Sequence, residues 1–132
     1  MEQHDTHQQT YQEGLDIRKE VLGAAHVEKS LANVSEFGRP IQELVTEYCW
    51  GATWSRPGLD RKTRSLINLA MLTTLNRGHE LSVHVKGAIT NGATPEEIQE
   101  VLLQTAIYVG VPAALESFRI AEATLKELNI GV

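Results

Sequence analysis

Between Asp60 and Leu128 the chain is punctuated for helices and for nothing else. Asp60 stands at an N-cap position. The run from Arg61 to about Leu75 then sets Leu66, Ile67, Leu69, Ala70, Leu72 and Thr73 apolar or small almost all round, the pattern of a buried central helix. Glu80 to Thr90 continues at helical spacing and stops at Asn91-Gly92. Thr94-Pro95-Glu96-Glu97 is a capping box with proline at the first helical position. Its helix runs to Val109 through Ile98, Val101, Leu102, Thr105 and Ala106. Gly110 closes it, and Pro112 opens a last helix to about Leu128. No segment alternates apolar and polar residues between turn signals, so no strand is predicted. The expected fold class is all-α, a compact multi-helix array with no sheet.

The first half reads in the same way with weaker punctuation. Residues 1–8 are polar and are expected to form a flexible tail, leaving 9–132 as a single helical domain. A first helix is expected over Gln9–Leu22, with Gly23 as a left-handed cap. A short one follows over Val27–Val34. Pro40–Cys49 gives another, with Ile41, Leu44, Val45 and Tyr48 at helical spacing. Gly51 to Gly58 is expected as a loop, with Arg56-Pro57-Gly58 as its turn chemistry.

Composition narrows the function classes. A net charge of −5 disfavours nucleic acid and anionic membrane as partners, and leaves local arginines to attract an anionic substrate. No apolar run approaches the ~18 residues of a membrane span, and the polar N-terminus has no signal-peptide core, so a cytoplasmic location is expected. Cys49 is the only cysteine. An intramolecular disulfide, a Cys-x-x-Cys redox pair and a cysteine zinc site are therefore excluded. With no basic neighbour in sequence, Cys49 is read as a packing residue. His4, His7 and His26 have no convergent partners, so no metal site is expected.

Ionisable residues gather instead at one helix start: Arg77, His79, Glu80, His84 and Lys86, beside the small residues Gly87 and Ala88. Glu80 lies one helical turn before His84 on the same face. Imidazole titrates near neutrality, which makes His84 the natural proton carrier. Arg61 and Arg64, three apart, share a face and can address one anion. A pocket enclosing these groups would favour an enzyme over a helical scaffold.

The segment LDRKTRSLINLAMLTTLNRGHELSVHVKGAITNGATPEEIQEVLLQTAIYVGVPAALESFRIAEATLKEL resembles the carboxymuconolactone decarboxylase family, and the upstream YQEGLDIRKEVLG and WGATWSRPGLDRKTRSL extend the resemblance to roughly residues 11–128. The wider superfamily contains alkylhydroperoxidase-like proteins with Cys-x-x-Cys-x-x-x-His and a preceding glutamate. With His84 set on that histidine, Arg77 and Glu80 stand where the cysteines would be, and Ser65 where the glutamate would be. A dithiol peroxidase route is excluded by the single cysteine.

The resemblance implies an alkylhydroperoxidase-like helical fold and a carboxy-lyase of the protocatechuate branch of the β-ketoadipate pathway. Its reaction would be decarboxylation of γ-carboxymuconolactone to the enol-lactone of β-ketoadipate, without metal or organic cofactor. The substrate is an unsaturated five-membered lactone bearing a carboxylate and an acetate arm. Electrons left by departing CO₂ spread through the double bond into the lactone carbonyl. His84 and Glu80 are the catalytic candidates. Arg77, Arg64, Arg61, Trp54, Trp50 and Ser65 are the substrate-binding candidates, with the tryptophans as pocket walls. The resemblance also implies a homo-oligomer, a trimer or hexamer, whose neighbouring subunits approach the site. Two other readings stay open: a related lyase or isomerase acting on another small unsaturated lactone or acid, and a non-catalytic helical oligomeric binding protein.

Overall fold

The computed structural model describes residues 2–132, with side chains from Thr6 onward. Met1 and the side chains of residues 2–5, His4 among them, lie outside the described residues. Seven α-helices and one π-helical segment make up the described chain, with no strand among the described residues. Contacts divide it into two units, one ending at Leu59 and one beginning at Asp60.

The first unit holds α1 (Glu2–Leu22), α2 (Ala24–Ala32), α3 (Arg39–Leu44) and a π-helix (Val45–Thr53). Helix α1 begins seven residues before the expected Gln9, so the polar stretch expected as a tail is helical from Glu2. Local polar bonds support this start where apolar burial does not. Thr10 Oγ1 donates to the Thr6 carbonyl at 2.9 Å, and His7 Nδ1 engages the Glu47 carboxylate across the unit. His7 therefore has the convergent partner that the sequence did not reveal. Gly23 has φ 93° but ψ 134°, so it breaks the chain between α1 and α2 without adopting the left-handed helical cap.

The π-helix replaces both the end of the expected Pro40–Cys49 helix and the start of the expected loop. Trp54 N–H donates to the Cys49 carbonyl five residues back, at 3.0 Å, and Thr53 Oγ1 reaches Tyr48 O at 2.9 Å. This wider turn brings positions four apart nearly over one another, and the Trp50 and Trp54 rings stack at 4.7 Å. Helix α1 crosses the segment with backbones in contact. A Cβ on Gly14 would lie 1.9 Å from the Thr46 carbonyl oxygen, and one on Gly51 would lie 2.2 Å from that of Thr10. Only glycine permits that approach.

The second unit is a four-helix array: α4 (Arg61–Thr74), α5 (Gly78–Thr90), α6 (Pro95–Tyr108) and α7 (Val111–Glu127). Leu69, Leu81, Val85, Ala88, Ile98, Leu102, Ala121 and Leu125 form its core. Burying each of the large aliphatic side chains contributes about 1.5–3 kcal/mol relative to exposure. The joints follow the sequence punctuation closely. Asp60 caps α4 by accepting from Thr63 N–H at 2.8 Å, and the Thr94–Glu97 capping box is complete. At the end of α4, Asn76 takes the left-handed conformation (φ 57°). Arg77 N–H then returns to Leu72 O at 3.0 Å and Asn76 N–H to Thr73 O at 3.2 Å, a Schellman closure built on asparagine. Helix α4 is not buried on every side. Ile67 and Met71 on α4, Leu75 at its C-cap, and Leu103, Ile107 and Tyr108 on α6 are exposed apolar side chains. The expectation of a fully buried central helix fails because one chain has too few helices to enclose it.

The two capping carboxylates predict a pH response. A backbone hydrogen bond from Thr63 holds Asp60 below its usual pKa. One from Thr94, reinforced by Lys62, does the same for Glu97. Their stabilising effect is complete above the unfolded-state values near about 4, and is lost as pH falls through the lower folded-state values. Urea unfolding should therefore lose stability more steeply between about pH 5 and about pH 3 in the wild type than in an Asp60→Asn/Glu97→Gln double variant. Parallel losses would contradict the assignment.

Candidate active site

The site region is set by how α4 and α5 lie against each other. The Schellman turn at Asn76 reverses the chain, and Arg77, which closes α4, is also the N-cap residue of α5. Gly78 fits tightly against α7, since a Cβ there would approach Ile120 Cδ1 to 2.9 Å. At the far end of the hairpin, Asn91 Nδ2 donates to Ser65 Oγ at 2.9 Å and to the Arg61 carbonyl at 3.4 Å. Seven residues inward on both helices, Asn68 Nδ2 meets His84 Nδ1 at 3.5 Å. The two contacts share one antiparallel register.

His84 is half-buried in the middle of α5, where the adjacent turns place Leu81, Val85 and Ala88 in the core. Its ring faces the stripe of α4 that carries Asn68. Arg61 and Arg64 occupy the same stripe one and two turns earlier and are also half-buried. A cation-lined edge thus runs along α4 toward the imidazole. Sequence reasoning missed Asn68. The available signal was a lone amide in an otherwise apolar or small helix, two turns after Arg61.

Other candidates fall elsewhere. Glu80 is exposed, and no hydrogen bond or ion pair of its side chain exists among the described residues, whereas Asn68 meets the His84 ring. Arg77 is exposed and lines a cleft of about 110 Å³ with Leu72, Leu81, Glu116 and Ile120, against α7. Ser65 is fully buried and its hydroxyl accepts from Asn91, so its contribution is to the hairpin and not to ligand contact. Trp50 and Trp54 pack with Ile17 and Val21 in the core of the first unit. They are 3% and 6% exposed, which leaves little of either ring to wall a pocket. The stacking imposed by the π-helix explains that burial.

Cys49 is exposed by area, yet its surroundings desolvate the thiol enough to raise its pKa, against the opposing pull of Arg18. A raised pKa keeps it a thiol and not a nucleophilic thiolate. Arg18 itself is buried, donates to Gln42 at 3.0 Å and Thr46 at 3.2 Å, and has its pKa lowered by desolvation. No group of metal-binding side chains occurs among the described residues.

The concavities of the second unit do not enclose the imidazole. A groove of about 330 Å³ runs between α4 and α6, lined by Leu66, Ile67, Ala70, Val101, Thr105 and Tyr108. Another of about 390 Å³ lies between α6 and α7 beside Phe118 and Val132. His84 lines neither of them, nor the Arg77 cleft.

Residues 39–123 match the carboxymuconolactone decarboxylase family. The chain belongs to the carboxymuconolactone decarboxylase family. It is 42% identical to the 4-carboxymuconolactone decarboxylase of Acinetobacter baylyi over 94% of this chain and 92% of that one. It is 43% identical to the nitrosuccinic acid decarboxylase of Metarhizium robertsii over 94% of this chain and 87% of that one. A 4-carboxymuconolactone decarboxylase of Pseudomonas putida is 37% identical over 33% of this chain and 90% of that one. The family match begins at Arg39, the first residue of α3, and covers α4, α5 and α6 completely. In this decarboxylase-family chain, the hairpin that carries His84 depends on Asn91. Asn91→Ala removes both donations to α4 and should lower unfolding stability by about 1–3 kcal/mol in chemical denaturation. No measurable change would show that the register is fixed by apolar packing alone.

Proposed function

We propose that this protein is a carboxy-lyase that decarboxylates γ-carboxymuconolactone without a cofactor, giving the enol-lactone of β-ketoadipate. The similarity to a 4-carboxymuconolactone decarboxylase across nearly the full length of both chains carries this reading. The α4–α5 hairpin supports it, since α4 carries Arg64 and Arg61 one and two turns before the Asn68 that meets the imidazole. The lactone contains its own electron sink. As the ring carboxylate leaves, charge passes through the double bond to the carbonyl oxygen, and the resulting dienolate takes a proton at the carbon next to that carbonyl. What remains for the protein is to hold the acetate arm, receive the developing oxyanion and supply the proton.

Arg61 and Arg64 take the carboxylate of the arm, with the guanidinium fork suited to that geometry. His84 gives the proton or a hydrogen bond to the enolate oxygen. Arg77 and Glu80 sit at the exposed mouth of the helix start, where Arg77 adds attraction for an anion and Glu80 repels the departing carboxylate. A chain that leaves Ile107 and Tyr108 more than four-fifths exposed requires a cover, and we assign that cover to further copies of itself, as a trimer or hexamer. Such an assembly would close the half-open imidazole face. No described helix is long and apolar enough to cross a membrane, and a catabolic role on a small acid fits the cytoplasm.

A second reading is favoured by the equally similar nitrosuccinic acid decarboxylase. The two compounds share a skeleton. Each is a succinate whose central carbon bears both the carboxylate that can leave and an electron sink, a conjugated lactone in one and a nitro group in the other. Each keeps a CH₂–COO⁻ arm. The same arginines and imidazole serve both, and the shape around the sink decides between them.

The deciding assay compares kcat/KM for the two acids with purified wild-type protein and with His84→Ala. Turnover of the lactone that exceeds that of nitrosuccinate, and falls roughly 100-fold in His84→Ala, is expected. Preference for nitrosuccinate would install the second reading, and no turnover of either by a folded oligomer would leave a helical binding protein. Ile107→Glu should shift the wild-type assembly to monomer in light scattering and reduce turnover with it. An unchanged oligomer would place the interface elsewhere.

A further inference from the structure

Helix α4 places Asn68 against the His84 ring at 3.5 Å, and the chemistry of that contact is one-sided. The atom of Asn68 facing the ring is Nδ2, an amide nitrogen that can donate and cannot accept. The ring atom that receives it is Nδ1. A neutral imidazole whose Nδ1 accepts must carry its proton on Nε2. The contact is long for a hydrogen bond, which leaves room for it to tighten in a complex. Its register is not accidental. It sits seven residues from the Asn91–Arg61 contact on both helices, so the hairpin closure that fixes one fixes the other.

We propose that Asn68 is a positioning residue that holds His84 as the Nε2–H tautomer and turns that N–H toward the ligand, whatever acid is bound. The proposal rests on the reading of His84 as the proton-bearing group of the site. A carboxylate at position 68, as in many catalytic histidine pairs, would draw the proton to Nδ1 and stabilise the imidazolium. An amide donor does the opposite. It keeps the neutral ring with a hydrogen-bond donor on the side away from α4, suited to an enolate oxygen. The side chain touches the imidazole and not the substrate, so its effect on the reaction passes through His84.

The test reads the ring nitrogens directly. Long-range ¹H–¹⁵N spectra of the full-length wild-type protein at about pH 9, where a histidine is ordinarily neutral, are assigned for His84 by comparison with His84→Gln. The expected pattern is a protonated Nε2 and an unprotonated Nδ1. Asn68→Asp, which is isosteric, should move the proton to Nδ1, and Asn68→Leu should give a mixture of the two tautomers. Asn68→Leu should also lower kcat about tenfold or more while KM stays within about twofold. A wild-type ring protonated on Nδ1 would overturn the proposal. So would an Asn68→Asp ring unchanged from wild type, or a full kcat in Asn68→Leu despite its mixed tautomers. The spectra need no substrate. If neither acid is turned over but the tautomer pattern appears and reverses in Asn68→Asp, the substrate reading fails while the positioning role is supported.

Discussion

The packing of α4 against α5 is the constraint on which the chemistry depends. Two helices joined through Asn76 and Arg77 can slide by a turn unless something at the other end stops them. Asn91 is that stop, since its amide is spent on Ser65 and on the Arg61 carbonyl. Once the ends are fixed, the middle has no freedom. Leu69, Leu81, Val85 and Ala88 fill the interior, and the turns beside them bring Asn68 and His84 together. A buried serine hydroxyl is thus worth more to the site as an anchor for the register than it could be as a ligand contact.

That hairpin is enough for a reaction whose difficulty lies in the substrate. When an acid carries its own electron sink, the protein has to bind a dianion, shelter the carbon that becomes basic and return one proton. Arginines at half-burial are apt for the first task, because partial desolvation strengthens their attraction for carboxylates without leaving them wholly buried. An imidazole suits the last. The apolar rows on α4 and α6 have a simple physical origin: seventy-odd residues in four helices bury a core and still leave apolar surface outside it.

Helix starts and stops in the second unit were legible because capping is local. Asp60, the Thr94 box, Asn91-Gly92 and Gly110 each specify their own joint. The π-helix was not, because its extra residue per turn is set by the Gly14–Gly51 crossing, a contact between residues 37 apart that leaves no local trace. For the same reason Trp50 and Trp54 read as pocket walls when they are core. The start of α1 was hidden by polar composition, since the partner that helps hold it is Glu47, forty residues away. At the candidate site, type and spacing single out His84, Arg61 and Arg64, and the structure sets the histidine on α5 and the arginines on α4. Ser65 was placed correctly on the helix but misjudged in role, because its partner Asn91 had been read only as a turn residue. Asn68 escaped notice because a single amide within an apolar run carries no period.

On the proposed mechanism the protein itself returns the proton to a carbanion that the substrate stabilises. Turnover of γ-carboxymuconolactone in deuterium oxide tests this most directly, with product taken at the first turnovers and read by NMR with a chiral shift reagent that separates the two enantiotopic positions. Delivery from a fixed group predicts one deuteron per product, on one face of the carbon next to the lactone carbonyl. Deuterium distributed equally over both faces from the first turnovers would mean that solvent quenches a released dienolate, and would contradict a proton held by His84.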